Sequence, residues 1–131
     1  MRAGAACDPN CQNADLSYAN LVNANLSNAN LTYANLTRAD LFYVTLPDAN
    51  LSFATLTYAN LTRADLNGAN LSNANLSGAG LIGANLTDAN LTNANLTDAN
   101  LTGAIFCNTT LPDGSINSSS CGGGGVAPGW Q

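Results

Sequence analysis

The chain has 131 residues, 46% of them hydrophobic, and a formal net charge of −5 from three basic and eight acidic residues. It contains no His, Lys or Glu, and its abundant Asn, Thr, Ser and Gly favour turns and extended chain over an all-helical fold. The acidic balance argues against nonspecific nucleic-acid binding, and no apolar run approaches the ~20 residues of a membrane span.

A five-residue repeat occupies most of the chain. Every fifth residue from Leu16 to Leu111 is Leu except Phe106, and the register continues to Ile116. An Ala lies two residues before each centre from Ala14 to Ala104, with Val44 as the one replacement. Neither a helix nor an ordinary strand has a period of five, so this pattern predicts a solenoid of small units.

Each unit reads Ala, then Asn or Asp, then Leu, followed by two residues that are mostly polar or small, as in Ala24-Asn25-Leu26-Ser27-Asn28. Ala and Leu are two residues apart, so extended chain points both to one side and the Asn between them to the other. The trailing pair includes Pro47-Asp48 and Pro112-Asp113, which are typical of turns. We therefore expect a short face followed by a corner, and each buried Leu contributes roughly 1.5–3 kcal/mol.

This pattern, over about residues 14–118, resembles the pentapeptide repeat family. The resemblance implies an all-β fold, namely a right-handed quadrilateral parallel β-helix with four units per coil. It thus implies about five coils of 20 residues and, at the ~4.8 Å spacing of paired strands, a rod roughly 25 Å tall. The residues that we expect in the core include Leu26, Leu51, Leu71, Leu91 and Phe106.

With a 20-residue coil, residues 20 apart stack, and most aromatic side chains then lie in the first three coils. Tyr18, Arg38 and Tyr58 share one outer column, which predicts a cation–π stack worth about 0.5–1 kcal/mol per exposed contact. The full predicted interaction patch consists of Tyr18, Tyr33, Arg38, Phe42, Tyr43, Phe53, Tyr58 and Trp130. It is either a binding surface for a partner or a set of ladders that stabilise the stacked coils.

The four cysteines lie near the two ends of the repeat. Cys11 and Cys107 are nearly five coils apart, about 20 Å along the axis, whereas a disulfide needs Cα atoms within about 7 Å. We therefore predict local disulfides, Cys7–Cys11 and Cys107–Cys121. Without His and without zinc-like spacing, the cysteines are a weak candidate for a metal site, and we expect no cofactor.

The pattern suggests three regions. Residues 1–13 form an N-terminal disulfide cap, residues 14–118 the β-helix, and residues 119–131 a C-terminal cap with a Gly-rich tail. The tail ends in the apolar run Val126-Ala127-Pro128-Gly129-Trp130 after four glycines. It is either an arm that docks on another subunit or a frayed end.

The sequence bears on three classes of function. An enzyme is disfavoured because only Asp, and Cys that we expect to be oxidised, are available for acid–base chemistry, so we expect no catalytic residues. An acidic DNA mimic that binds gyrase, known in the resembled family, is weakened because Asp40 and Asp65 lie close to Arg38 and Arg63. The favoured class is a structural or interaction rod, either self-assembling end to end into fibres or an exported monomer of unknown role.

The expected partners are proteins, either other chains or further copies in a head-to-tail homo-oligomer, with no nucleic acid and no membrane. Disulfides indicate an oxidising compartment, so we expect export to a bacterial periplasm, thylakoid lumen or cell exterior. A bacterial source also avoids glycosylation of the many Asn-x-Ser/Thr sequons that the repeat creates. Free cysteines would instead permit a cytoplasmic location.

Overall fold

The computed structural model describes residues 10–121, which form a β-solenoid with a 20-residue period. Parallel bridges join the residue before each repeat centre to the residue 20 positions later, from Asn10 with Asn30 to Asn90 with Thr110. Because corners recur every five residues, each 20-residue coil has 20/5, or four, faces and four corners. No helix is present among residues 10–121, so this part of the chain is all-β.

Backbone hydrogen bonds connect each coil to the next in a fixed pattern. The Leu36 N–H donates to the Thr55 carbonyl at 2.7 Å, and the Arg38 N–H donates to the Thr57 carbonyl at 2.9 Å. In the opposite direction, the Thr55 N–H donates to the Ala34 carbonyl at 2.9 Å. The same offsets recur along the rod, so residues 20 apart are held in register and their side chains stack.

Every corner from residue 13 to residue 103 has the same backbone conformation. The Ala N–H donates to the carbonyl of the Leu three residues earlier, for example Ala59 to Leu56 at 3.0 Å. The second of the two turn residues has φ between 57° and 72°, the left-handed value that a type II turn requires at that position. Asn, Asp and Gly adopt this conformation most easily, which explains why they occupy most of these corners.

Where an Asn or Asp precedes the Leu, it caps its own corner. In the unit of Asn25, Oδ1 accepts the Ser27 backbone N–H at 3.1 Å and the Ser27 hydroxyl at 2.6 Å. Such local side-chain bonds are typical of Asx turns. Bonds from these side chains to the next coil are few in the described residues, such as Asn60 Nδ2 to Asp40 Oδ1 at 3.3 Å.

The Leu and Ala side chains fill the interior in every coil. Leu26, Leu51, Leu71 and Phe106 are 0% exposed, and Leu91 is 1% exposed. Val44, the one replacement among the Ala positions from 14 to 104, is also fully buried. The core is therefore a continuous stack of small and large apolar side chains along the rod axis.

The C-terminal end closes with an antiparallel hairpin of β1 (Thr109–Thr110) and β2 (Ile116–Asn117). Thr109 stands where the repeat would place Ala, and its buried hydroxyl donates to the Leu86 carbonyl at 2.6 Å. Beyond β2, the Ser120 N–H donates to the Phe106 carbonyl at 2.9 Å. A Cys107–Cys121 disulfide, with Cα atoms 4.7 Å apart, fastens the returning chain to the last coil.

At the other end, Cys11 is buried and disulfide-bonded. The predicted Cys7–Cys11 pair includes Cys7, which lies outside the described residues, as do most of the predicted N-terminal cap and the tail after residue 121.

Candidate interaction surface

The second turn residues form four corner columns along the rod. The first column contains Tyr18, Arg38, Tyr58, Gly78 and Asp98. The second contains Asn23, Tyr43, Arg63, Gly83 and Gly103. The third contains Asn28, Asp48, Gly68, Asp88 and Asn108. The fourth contains Asn13, Tyr33, Phe53, Asn73 and Asn93.

Aromatic and arginine side chains occupy three of these four columns, and only between residues 18 and 63. Tyr18 is 73% exposed, Tyr33 and Tyr58 are more than half exposed, and Tyr43 and Phe53 are nearly so. We call the following set the corner surface: Tyr18, Tyr33, Arg38, Phe42, Tyr43, Phe53, Tyr58 and Arg63. The predicted patch maps onto this surface except for Trp130, which lies outside the described residues, and Arg63 is an addition.

Several of these side chains are held by contacts with one another. Tyr33 and Phe53 stack with ring centroids 4.9 Å apart and planes at 10°. Phe42 and Tyr43 meet edge to face at 4.6 Å. These aromatic pairs restrict the rings before any partner arrives, which lowers the entropy cost of binding.

The predicted Tyr18–Arg38–Tyr58 stack forms only in part. The Arg38 guanidinium carbon lies 4.7 Å from the Tyr58 ring centroid, whereas no such contact joins Tyr18 and Arg38 within the described range. Side chains lean toward the following coil, so Arg38 covers Tyr58, and the first-coil Tyr18 remains the most exposed large apolar side chain there.

Two glycines that the sequence analysis did not single out support this surface. A Cβ on Gly78 would lie 2.5 Å from Cε1 of Tyr58, so the ring rests directly on the Gly78 backbone. A Cβ on Gly83 would lie 3.6–3.7 Å from the Arg63 side chain, whose stem covers it. The sequence feature that could have identified these glycines is the 20-residue offset from Tyr58 to Gly78 and from Arg63 to Gly83.

The two arginines are not in contact with aspartates of the described range. Neither Arg38 nor Arg63 forms an ion pair with any residue in the described range 10–121. Asp40 Oδ1 instead accepts the Phe42 N–H and the Asn60 amide, both at 3.3 Å. Asp65 Oδ1 caps its own corner, accepting the Asn67 N–H at 3.1 Å.

Two other aspartates have lowered pKa values, and both precede a serine two residues on. The Ser17 hydroxyl donates to Asp15 at 2.7 Å and its backbone N–H donates at 3.1 Å, and these bonds hold the pKa of Asp15 below its ordinary value. The Ser115 hydroxyl and N–H lower the pKa of Asp113 in the same way. Both carboxylates are exposed caps of corners rather than parts of a cleft.

Toward the C-terminus the same backbone presents a polar surface. Corner residues from Gly68 to Gly103 are all Gly, Asn or Asp, and Ile82 is the one large apolar side chain exposed between them. Within residues 10–121 no cluster of three or more His, Cys, Asp or Glu could hold a metal ion. The described part of the chain also contains no helix long and apolar enough to cross a membrane.

Comparisons with known proteins agree with the five-residue geometry. The pattern of the family described as Pentapeptide repeats matches residues 10–46, 46–79 and 74–111, in eight copies. No curated protein sequence is similar to the chain at a significant level.

Solved structures of three pentapeptide repeat proteins are similar to the chain. A pentapeptide repeat protein from the Arabidopsis thaliana thylakoid lumen has 27% identity and a TM-score of 0.76, over 92% of this chain and 87% of that one. One from the cyanobacterium Cyanothece 51142 has 48% identity and a TM-score of 0.65, over 65% of this chain. One from Nostoc Pcc 7120 has 45% identity and a TM-score of 0.57, over 57% of this chain. The chain spans 58% of the Cyanothece protein and 62% of the Nostoc protein.

Proposed function

Because the chain belongs to the pentapeptide repeat family, we propose that it is a non-catalytic interaction rod that binds a protein partner through the corner surface. The observation that supports this proposal is the confinement of the exposed aromatic and arginine corners to residues 18–63. Tyr, Phe and Arg are enriched where proteins bind one another. The remaining corners present only Asn, Asp and Gly.

The backbone itself supports this reading over a purely stabilising role. A left-handed conformation costs roughly 1–2 kcal/mol for an ordinary side chain and less for Asn, Asp or Gly. Tyr18 takes φ of 61° without a compensating ring contact in the described residues. A side chain that carries this cost and remains exposed fits a role outside the fold.

A catalytic role finds no support in the chain. The full sequence contains no His, Lys or Glu for general acid–base chemistry. Aspartates of the described range such as Asp15 and Asp40 lie on the outer surface of the rod and cap its corners. We expect neither cofactor nor metal.

End-to-end self-assembly has less structural support than partner binding. The Leu96 and Leu101 amides face the C-terminal edge and have no acceptor among residues 10–121, so an edge is present. However, β2 pairs with β1 at that end and the Cys107–Cys121 disulfide holds the hairpin there, which is how natural proteins block edge pairing. A concentration-dependent mass in light scattering, lost on deletion of residues 122–131, would reverse this order.

The DNA-mimic alternative is weaker still. It requires an acidic stripe along the rod, whereas the third corner column contains only Asp48 and Asp88, separated by Gly68. The three columns that contain Tyr, Phe or Arg have two arginines and no aspartate before Asp98. Inhibition of DNA gyrase supercoiling by the purified chain would restore that alternative.

For the finer architecture we propose a right-handed, quadrilateral helix of about five coils, in line with the 20-residue bridge spacing. We also propose that the protein is exported, since Cys107 and Cys121 are joined and disulfides persist in oxidising compartments. The similar Arabidopsis protein comes from the thylakoid lumen.

The experiment is site-specific photo-crosslinking in the organism that produces the protein. A benzoyl-phenylalanine placed at Tyr43 should crosslink to one protein partner, while the same group at Asn93, on the polar part of the rod, should not. Equal crosslinking patterns from both positions, or none from Tyr43, would contradict the proposal. Non-reducing mass spectrometry of the same sample tests the exported, oxidised state.

A further inference from the structure

Arginine and tyrosine alternate across two neighbouring corner columns. In the first column Arg38 lies between Tyr18 and Tyr58, and in the second Arg63 follows Tyr43. The two columns flank the face centred on Leu41 and Leu61, because each corner follows its own Leu by two residues. The arginines are therefore diagonal to each other across one face, one coil apart.

Arg38 is oriented by its ring contact. Its guanidinium lies over Tyr58, and the Tyr58 ring rests on the Gly78 backbone. A guanidinium over a ring retains N–H groups that point away from the ring, and these can bind a carboxylate through two parallel hydrogen bonds. The side chain is exposed, so a partner can reach it.

Arg63 is supported in a different way. Its aliphatic stem lies against Gly83, and beyond Gly83 the column continues with Gly103. The side chain is exposed next to two successive corners whose second turn residue is glycine. A partner can therefore approach this arginine closely from the C-terminal side.

Both arginines lack an anionic partner within the described range, although the chain as a whole is acidic. Asp40, on the same face, is already bonded to the Phe42 N–H and the Asn60 amide. Asp40 keeps its negative charge, so the two unpaired cations leave this face with one net positive charge on an otherwise acidic protein, which is complementary to an anionic partner.

We propose that Arg38 and Arg63 bind carboxylate side chains of an acidic, partly apolar protein segment lying across the face between them. This inference rests on the proposed function and names the chemistry of its partner. A face of three extended residues is about 10 Å wide at ~3.3 Å per residue, and the arginines are also one coil apart, so the two carboxylates belong about four residues apart, an even spacing that puts both on one side of an extended chain. Phe42 and Tyr43 contact the apolar residues of that segment.

A nucleic acid is a poorer occupant of this surface. Single strands also stack on aromatic rings, but their affinity depends on neutralising several phosphates. Only two cations lie within the described residues, and Asp40 lies on the same face. Carboxylates spaced along a protein segment match two isolated arginines better than a continuous polyanion does.

The test is selection of binders from a phage-displayed library of random dodecapeptides against the immobilised, non-reduced full chain. Wild type should enrich peptides with Asp or Glu and an apolar residue. In fluorescence anisotropy, Arg38→Gln or Arg63→Gln should weaken the best peptide about tenfold, the loss of one charge-assisted bond. Asn93→Asp is the matched control, because it changes the net charge equally on the polar part of the rod.

The outcomes separate this proposal from the broader one. Apolar or aromatic peptides without acids, bound equally by wild type and the arginine variants but lost in Tyr43→Asn, would overturn the carboxylate site and leave the interaction rod standing. Absence of any enriched peptide would count against both. An equal loss with Asn93→Asp, or tighter binding of an oligothymidine than of the peptides, would also overturn the carboxylate site.

Discussion

Two regions of the rod share one backbone and differ in what they display. Among the eleven corners from residue 13 to residue 63, seven have Tyr, Phe or Arg as the second turn residue. Among the eight corners from residue 68 to residue 103, all have Gly, Asn or Asp. The φ angles are left-handed in both regions, and buried Leu and Ala line both interiors.

This difference separates the requirements of the fold from those of the surface. The polar region demonstrates that the corner needs no aromatic residue, since Gly and Asn satisfy the left-handed turn at lower cost. The aromatic region therefore places exposed side chains at corners whose left-handed conformation disfavours them. A solenoid can accordingly change its binding surface without altering its core, because each corner residue contacts mainly its own column.

The largest expected effect tests whether the two regions have equivalent cores. Leu36→Ala and Leu76→Ala remove side chains that are at most 1% exposed, on the same face and 40 residues apart. Each should lower the free energy of unfolding by about 3 kcal/mol, the usual cost of a cavity left by Leu. The measurement is urea unfolding under non-reducing conditions. Losses that differ by more than about 1 kcal/mol would mean that the regions differ inside as well as outside.

The next effect is located where the two regions meet. Gly78 and Gly103 both have φ near 70°, but a Cβ on Gly78 would collide with the Tyr58 ring while one on Gly103 would make ordinary contacts. Gly78→Ala should therefore cost about 2 kcal/mol or more and Gly103→Ala about 1 kcal/mol.

A second variant isolates the ring as the cause. In a Tyr58→Ala background, Gly78→Ala should cost no more than Gly103→Ala does. A persistent difference after removal of the ring would show that the Gly78 backbone, rather than the packing of Tyr58, requires glycine.

Most of the fold follows from the spacing of Leu and Ala, whereas the details of the surface depend on directions that spacing does not specify. The period and the resemblance were enough for an all-β solenoid of pentapeptide repeats, which the family comparison confirms. The lean of each side chain toward the next coil was not predictable, and it is why Arg38 contacts Tyr58 but not Tyr18. The local role of Asn25 was missed for a similar reason, since its bonds depend on the turn geometry.

A smaller effect measures the cost of aromatic corners directly. Tyr18→Asn should raise the free energy of unfolding by about 1 kcal/mol, because Asn tolerates φ of 61° better and no described ring contact is lost. Tyr58→Asn should gain less, since it forfeits the Arg38 contact, worth about 0.5–1 kcal/mol. The reverse change, Asn93→Tyr, should destabilise the polar region. If Tyr18→Asn is destabilising in thermal or urea unfolding, the aromatic corners belong to the fold and the functional argument weakens.

The smallest effect concerns the caps that both regions share. Asp15 accepts two bonds from Ser17, which lower its pKa, and Asn occupies the equivalent positions 35, 75 and 95. An Asp whose pKa is lowered by folding stabilises the protein above the pKa of the unfolded chain, about 3.9, and this contribution disappears as the pH falls through the lower folded value. Asp15→Asn keeps the acceptor but cannot titrate, so it should leave the free energy of unfolding near pH 7 unchanged and remove that acid dependence.

Carboxyl NMR of Asp15 should give a titration midpoint below the ordinary value, and Ser17→Ala should raise this midpoint, since the hydroxyl bond is the largest cause of the shift. An unchanged midpoint in Ser17→Ala would assign the shift to the backbone N–H of the corner, a donor that every capped unit of the rod provides regardless of its sequence.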